Sequence, residues 1–206
     1  RKILEESDIL IIGGGAIDTN LEEELKKLPG EIYCTYGMTE TLSHIALRRI
    51  NGPLASISYY PFSSVDLSLS EEGTLVINAP LVSDVILQTN DIAEINPDGS
   101  FNIIGRKDNT INSGGVKIQI EQVEEKLKAL IHAPFAVTSK SDSKFGEIVV
   151  LLVAAPVNDE MLKTEMSKVL TSYQVPKKIF VVDSIPLTES GKICRAKVKE
   201  MASTIN

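Results

Sequence analysis

Residues 87–115 read LQTNDIAEINPDGSFNIIGRKDNTINSGG. The segments DIAEI (91–95) and FNII (101–104) are rich in β-branched and aromatic residues, and Asn96-Pro97-Asp98-Gly99 between them is a turn sequence. A tight β-hairpin is expected. The polar run GRKDN follows without apolar periodicity, and then the loop Ser113-Gly114-Gly115. A hairpin that ends in a charged connector and a glycine loop reads as a junction between two units.

Upstream of the junction, Asp8-Ile9-Leu10-Ile11-Ile12 is a continuous apolar run, as expected of a strand buried on both faces. Gly13-Gly14-Gly15-Ala16 follows, and Asp18, Thr19 and Asn20 offer helix N-caps. In LEEELKKL (21–28), Leu21, Leu25 and Leu28 share a face, while Glu22–Lys26 and Glu23–Lys27 are favourably ordered pairs. Pro29-Gly30 ends this helix, and EIYCTYG (31–37) reads as a strand. The order strand, glycine turn, helix, strand is a βαβ unit, which implies a parallel sheet. From about Asn51 to Gly105 the pattern changes to short β segments, which favours an antiparallel sheet or small β-barrel.

Downstream, residues 121–131 are expected to form a helix with Val123, Leu127, Leu130 and Ile131 as its apolar stripe. FAVTS and IVVLLVAA read as strands around the turn Lys144-Phe145-Gly146. Asn158 or Asp159 caps a helix running to about Leu170, and KKIFVV is a third strand. The fold class is therefore α/β followed by a small α+β domain, divided near Asp108 into residues 1–107 and 108–206.

Composition narrows the function. A net charge of −7 over 206 residues argues against sequence-independent nucleic-acid binding, which needs a basic footprint. No apolar run approaches the ~20 residues of a membrane span, and RKILEESD has no signal-peptide pattern. The two cysteines, Cys34 and Cys194, form no CxxC and read as reduced cytoplasmic thiols. Neither is near a paired His in sequence, and they and His132 read as structural.

Taken singly, the polar motifs have bland readings. Gly13–Gly15 is no P-loop, because GxxxxGK[ST] is absent, and a tight turn accounts for it. Tyr36-Gly37-Met38-Thr39-Glu40 could be a strand-end turn, Asp91 and Arg106 an exposed cross-strand ion pair, and Lys192 one cation among Arg195, Lys197 and Lys199. Together, and in this order, they resemble the motifs of the adenylate-forming enzymes, the superfamily of acyl- and aryl-CoA ligases, peptide-synthetase adenylation domains and luciferases. The resemblance rests on Gly13–Ala16, Tyr36–Glu40, Thr89-Asn90-Asp91, Gly105-Arg106-Lys107-Asp108, Ser113–Ile118 and Ile185-Pro186-Leu187-Thr188-Glu189-Ser190-Gly191-Lys192.

The resemblance implies a set of roles. Gly14, Gly15 and Ala16 would pack against adenine, with Tyr36 stacking near it beside Gly37 and Met38. The Thr39 hydroxyl would donate to the α-phosphate, and Glu40 would hold Mg²⁺. Asp91 would accept from both ribose hydroxyls, although Asn90 stands where the family has glycine, and Arg106 would contact the ribose or phosphate. Asp108 would be the hinge about which a small mobile domain turns between two half-reactions. Ser113, Gly114 and Gly115 would line the path of the CoA thiol, with Asn112 where many relatives carry lysine. Lys192 would bridge carboxylate and phosphate oxygens during adenylation. Ser43 and His44 would border the acyl pocket.

The implied cofactors are ATP, Mg²⁺ and coenzyme A, and the implied substrate is a small carboxylic acid. The family's Ser/Thr/Gly-rich phosphate loop is expected upstream of Arg1. The chain thus reads as the end of the large N-terminal domain plus a whole C-terminal domain, a piece not expected to complete adenylation alone. A homodimer is left open. Within the superfamily, the run YGMTETLSHIALRRING (36–52) most resembles an acid–CoA ligase of menaquinone synthesis that activates the aliphatic carboxylate of o-succinylbenzoate. Another acyl- or aryl-CoA ligase, a peptide-synthetase adenylation domain, and a non-catalytic nucleotide-binding module stay open beside it.

Overall fold

In the computed structural model, which describes residues 4, 6–15, 17 and 19–205, strands β1 (Ile9–Ile12) and β2 (Glu31–Gly37) flank helix α1 (Thr19–Leu25) and pair in parallel, as a βαβ unit requires. Asp18, one of the expected caps, lies outside the described residues. Leu10 and Ile12 pack into a cluster with Leu25, Ile32, Cys34 and Ile50. The expectation of burial on both faces is not met by β1. Ile9 and Ile11 point the other way and are 60% and 53% exposed, because nothing among the described residues covers that face.

Two further strands, β3 (His44–Arg49) and β4 (Tyr60–Pro61), complete a mixed sheet in the order β1-β2-β3-β4. Strand β3 was not legible from HIALRR, whose charged end conceals its alternation. In the structure Arg48 is buried by a two-pronged bond to Glu22 of α1, at 3.0 and 2.7 Å. Asn51 closes this layer. Its side chain donates to the Leu28 and Gly30 carbonyls and accepts from the Ile32 amide, so a single buried amide ties the helix end to β2.

The next four strands, β5 (Asp66–Leu69), β6 (Thr74–Asn78), β7 (Leu87–Ile95) and β8 (Phe101–Arg106), make an open sheet in sequence order. The small barrel offered as an alternative does not form, since four strands are fewer than any small barrel uses to close. The expected hairpin is β7–β8. Its turn is closed by the Gly99 amide on the Asn96 carbonyl at 2.9 Å and the Asn96 amide on the Ser100 carbonyl at 2.7 Å. Phe101, fully buried, seats this hairpin on Leu75, Ile77, Ala79 and Ala93.

The chain separates into two compact units, residues 1–104 and 105–206. The second unit has a five-stranded sheet, β10-β9-β12-β11 with β13 beside β12. Its members are β9 (Thr110–Ser113), β10 (Val116–Gln119), β11 (Phe135–Asp142), β12 (Gly146–Val153) and β13 (Lys178–Val181). The sequence marks only a polar connector at 105–109 and a loop at 113–115 here, and the first two strands are too short and too polar to announce themselves. Strand β12 carries the core. Val149, Leu151 and Val153 pack with Val123 and Leu127 of α2 (Ile120–Leu127) and Met166 of α3 (Asp159–Val169). Ile148, Val150 and Leu152 face Val198 and Ala202 of α4 (Arg195–Thr204). The unbroken apolar run Ile148–Val153 is what a sheet covered on both faces needs.

Helix α3 starts where expected, with Asn158 Oδ1 accepting from the Met161 amide at 3.0 Å. Losing that cap in Asn158→Ala is expected to cost about 1 kcal/mol of stability. A fall in the urea midpoint with an unchanged slope would register it.

Candidate functional site

The first unit gathers several of the motif residues at the C-terminal end of β2. Tyr36 is its penultimate residue, with its ring edge-on to Phe101 at 5.3 Å and tilted against Tyr59 at 5.9 Å. These aromatic walls fix the ring, and its hydroxyl then reaches across 55 positions of sequence to donate to Asp91 Oδ2 at 2.6 Å. Two residues singled out separately are thus one hydrogen-bonded pair.

Asp91 is placed by an irregularity in β7. Between Gln88 and Ile92 this strand advances four residues while its partner β6 advances only two, from Val76 to Thr74. Three residues, Thr89, Asn90 and Asp91, stand opposite Leu75 alone and cannot all follow the ladder, and a bulge of this kind re-aims side chains. Thr89, 6% exposed, steadies it by accepting from the Asp91 amide at 3.0 Å.

After Tyr36 the β2–β3 register also shifts, and Gly37 approaches β3 so closely that a Cβ there would lie 2.4 Å from the Ser43 carbonyl oxygen. Met38, Thr39, Glu40 and Thr41 then wind a short 3₁₀ turn ending in Leu42, whose φ of 58° is left-handed. Thr41 holds this turn. It is fully buried, and its hydroxyl accepts from the Met38 amide at 3.0 Å and lies 2.6 Å from the Ser43 carbonyl as donor. Thr41 stands three residues after Met38, whose amide and carbonyl it bonds, and nothing local in the sequence marks it for this role. Thr39 and Glu40 are left exposed on the outside of the turn.

A single exposed carboxylate suits Mg²⁺, which is usually held by one or two carboxylates together with substrate phosphates. No cluster of three or more acidic, His or Cys ligands occurs among the described residues. Gly14 and Gly15 follow β1 and are exposed, and Ala16 lies outside the described residues. Ser43 Oγ is 3.1 Å from His44 Nδ1, and the His44 ring stands edge-on to Phe62 at 5.6 Å. Of the residues read as structural, Cys34 is buried 3.2 Å from the Tyr59 hydroxyl, and His132 is exposed. Burial and the Cys34 contact push the Tyr59 phenol up to about 12.

The second unit carries the remaining candidates. Arg106 Nη2 is 3.3 Å from Asp108 Oδ2, and Asp108 sits in a 3₁₀ turn of Lys107–Asn109 between β8 and β9. Gly114 and Gly115 form the two-residue turn from β9 to β10, with φ of 60° and 85° that favour glycine at both. Ser113 is buried at its base, and the Gly114 amide donates to the Phe145 carbonyl at 2.8 Å. Lys192 is exposed on a hairpin whose stem is the Leu187–Ile193 bridge. Thr188 organises it: its amide donates to the Lys192 carbonyl at 2.7 Å, and its hydroxyl accepts from the Lys192 amide at 3.1 Å.

Residues 120–192 match the family described as the AMP-binding enzyme C-terminal domain. The 2-succinylbenzoate–CoA ligase of Lactococcus lactis subsp. lactis (strain IL1403) is 26% identical over 208 residues, which cover 93% of this chain and 46% of that protein. The 2-succinylbenzoate–CoA ligase of Bacillus licheniformis is 30% identical over 220 residues, covering 92% and 46%. Among solved structures, the o-succinylbenzoate CoA synthetase of Bacillus subtilis in complex with its acyl-adenylate intermediate superposes with a TM-score of 0.76. That match has 23% identity and covers 96% of this chain and 48% of the other, a likeness of fold. The chain spans about half the length of the curated relatives it matches.

Proposed function

We propose, from the premise that this chain belongs to the adenylate-forming superfamily and matches the carboxy-terminal portion of its relatives, that it serves an ATP-dependent acid–CoA ligase acting on o-succinylbenzoate. The observation that carries this reading is the Tyr36–Asp91 hydrogen bond, which joins two of the motifs across two different sheets of the first unit.

In the proposed reaction, a carboxylate oxygen attacks the α-phosphorus of ATP and pyrophosphate leaves. The CoA thiolate then attacks the acyl carbonyl, forming the thioester and releasing AMP. Both reactants of the first step are anionic, so the site must supply donors and cations where charge develops. Asp91, its second oxygen engaged by Tyr36, is oriented to accept from the ribose hydroxyls, and the Tyr36 ring offers a face to adenine. The exposed Thr39 hydroxyl donates to the α-phosphate, and Glu40 is the carboxylate for the metal. Magnesium, when bound, neutralises charge on the phosphates. Lys192 bridges the attacking carboxylate and the phosphate. Arg106 adds a ribose or phosphate contact, Ser113, Gly114 and Gly115 admit the thiol, and Ser43 and His44 border the acyl group.

In this reading residues 108–206 form a mobile domain turning at Asp108, the rest of the large domain is supplied by the other half of the enzyme, and the protein works in the cytoplasm. Covering the exposed Ile9 and Ile11 face of β1 falls naturally to that other half.

The test is acid-dependent ATP–pyrophosphate exchange by the complete polypeptide carrying this chain, across a panel of acids. Exchange that is fastest with o-succinylbenzoate is expected. Exchange only with amino acids would instead indicate a peptide-synthetase adenylation domain, and nucleotide binding without exchange for any acid would indicate a non-catalytic module.

A further inference from the structure

In sequence Arg195 is one member of a basic run, yet in the structure its guanidinium is held by a two-pronged ion pair. It is the first residue of α4, three positions after Lys192. Its guanidinium grips Glu124 of α2 with both prongs, Nη1 to Oε1 at 2.6 Å and Nη2 to Oε2 at 2.7 Å. Glu124 is 9% exposed, and its Oε1 also accepts from the Val137 amide of β11 at 2.8 Å. Arg195 Nη1 lies 3.4 Å from the Val137 carbonyl. Helix α2, strand β11 and the start of α4 therefore meet at one planar fork.

The segment before Arg195 is the Lys192 hairpin. Its stem is short: the Leu187–Ile193 bridge, with the Cys194 amide on the Pro186 carbonyl at 2.9 Å. Beneath it lies an open, largely apolar cavity of about 350 Å³, lined by Pro134, Phe135, Ala154, Ile185, Leu187 and Ile193 among others. On this side the hairpin thus borders open, solvent-accessible space and is not packed against a neighbouring element. The fork is the polar anchor where the hairpin's C-terminal strand joins the domain.

An ion pair taken out of water contributes little net stability, so stability is a poor reason for a carboxylate to sit here. Its planar, bidentate geometry fixes direction, which lysine in place of arginine does not reproduce. We infer that the Glu124–Arg195 fork is a positioning device for Lys192: it sets the orientation in which the hairpin leaves the domain and so where the ammonium can reach. Neither residue touches the reactants. The inference rests on Lys192 serving adenylation, and a misplacement of about 1 Å in such a group costs as much as 100-fold.

Arg195→Lys tests it, because it keeps the charge opposite Glu124 while losing the fork. In the complete polypeptide, adenylation kcat is expected to fall roughly 10- to 100-fold. KM for ATP and the rate of thioester formation from supplied acyl-adenylate should not change. In a Lys192→Ala background the same substitution should have no further effect on adenylation. Hydrogen exchange provides a readout independent of turnover: the amides of Gly191, Lys192 and Cys194 should exchange faster in Arg195→Lys, and also in Glu124→Gln, with those of β12 unaffected. Equal loss of both half-reactions, additive loss in the double variant, or unchanged exchange in the hairpin would overturn the inference. Full adenylation by Lys192→Ala would instead overturn the reading of Lys192 itself, while the exchange result would still report on the anchor.

Discussion

Replacing Lys192 with alanine is expected to lower the adenylation rate of the complete polypeptide by about 100- to 1,000-fold, the range seen when one preorganised donor to developing charge is removed. The loss should be confined to that half-reaction. Lys192 is exposed on a hairpin bonded through Thr188, whose contacts to Lys192 are with its backbone, so the fold should tolerate the change. Thioester formation from supplied acyl-adenylate should proceed at close to the original rate. Single-turnover measurements of the two steps separate these effects. Equal loss in both would count against a role of Lys192 confined to the first step.

Asp91→Ala should weaken nucleotide binding, where Lys192→Ala should not. Two hydrogen bonds from ribose hydroxyls to a carboxylate, each worth about 1.5–3 kcal/mol, imply at least roughly a 100-fold rise in the Kd for AMP. The alanine variant also leaves the Tyr36 hydroxyl without its 2.6 Å acceptor. Asp91→Asn separates the two contributions. Its amide oxygen can still accept from Tyr36, but it offers the ribose one acceptor fewer, so an intermediate affinity is expected. If all three proteins bound AMP alike in a calorimetric titration, Asp91 would have no part in holding ribose.

How far the sequence could be read follows from how each element is stabilised. Strand β12 and the β7–β8 hairpin were legible because their signals are local: an unbroken apolar run, and a turn tetrapeptide between β-rich segments. Helix α3 announced its start through Asn158. Strands β3, β9 and β10 were missed because what stabilises them is distant. Arg48 is acceptable in a buried position only because Glu22 is brought beside it by a parallel crossover. Strand β9 is held by β10 and by one contact with β12 at Ser113 and Gly146. The two-sided burial expected of Ile9–Ile12 failed on one face, since an apolar run states what a strand can bury and not what covers it.

The candidate site divides in the same way. The motif residues were found from residue type and order. Their mutual geometry was not, because the Tyr36–Asp91 bond depends on a bulge that no local pattern in TLVIN or LQTND reveals. Residues that hold the others in place were the hardest to see. Asn51, Glu124 and Arg195 act through bonds to residues distant in sequence, Thr41 through burial and bonds within its own turn, and in sequence all four look like ordinary polar residues.

The most direct measurement is a calorimetric titration of the complete polypeptide with AMP and with the acyl-sulfamoyl adenosine of o-succinylbenzoate. The account predicts saturable binding of both, tighter for the acylated analogue, with both weakened in Asp91→Ala. Equal affinity for the two ligands would contradict the assigned acyl substrate, and binding of neither would contradict the adenylate-forming function itself.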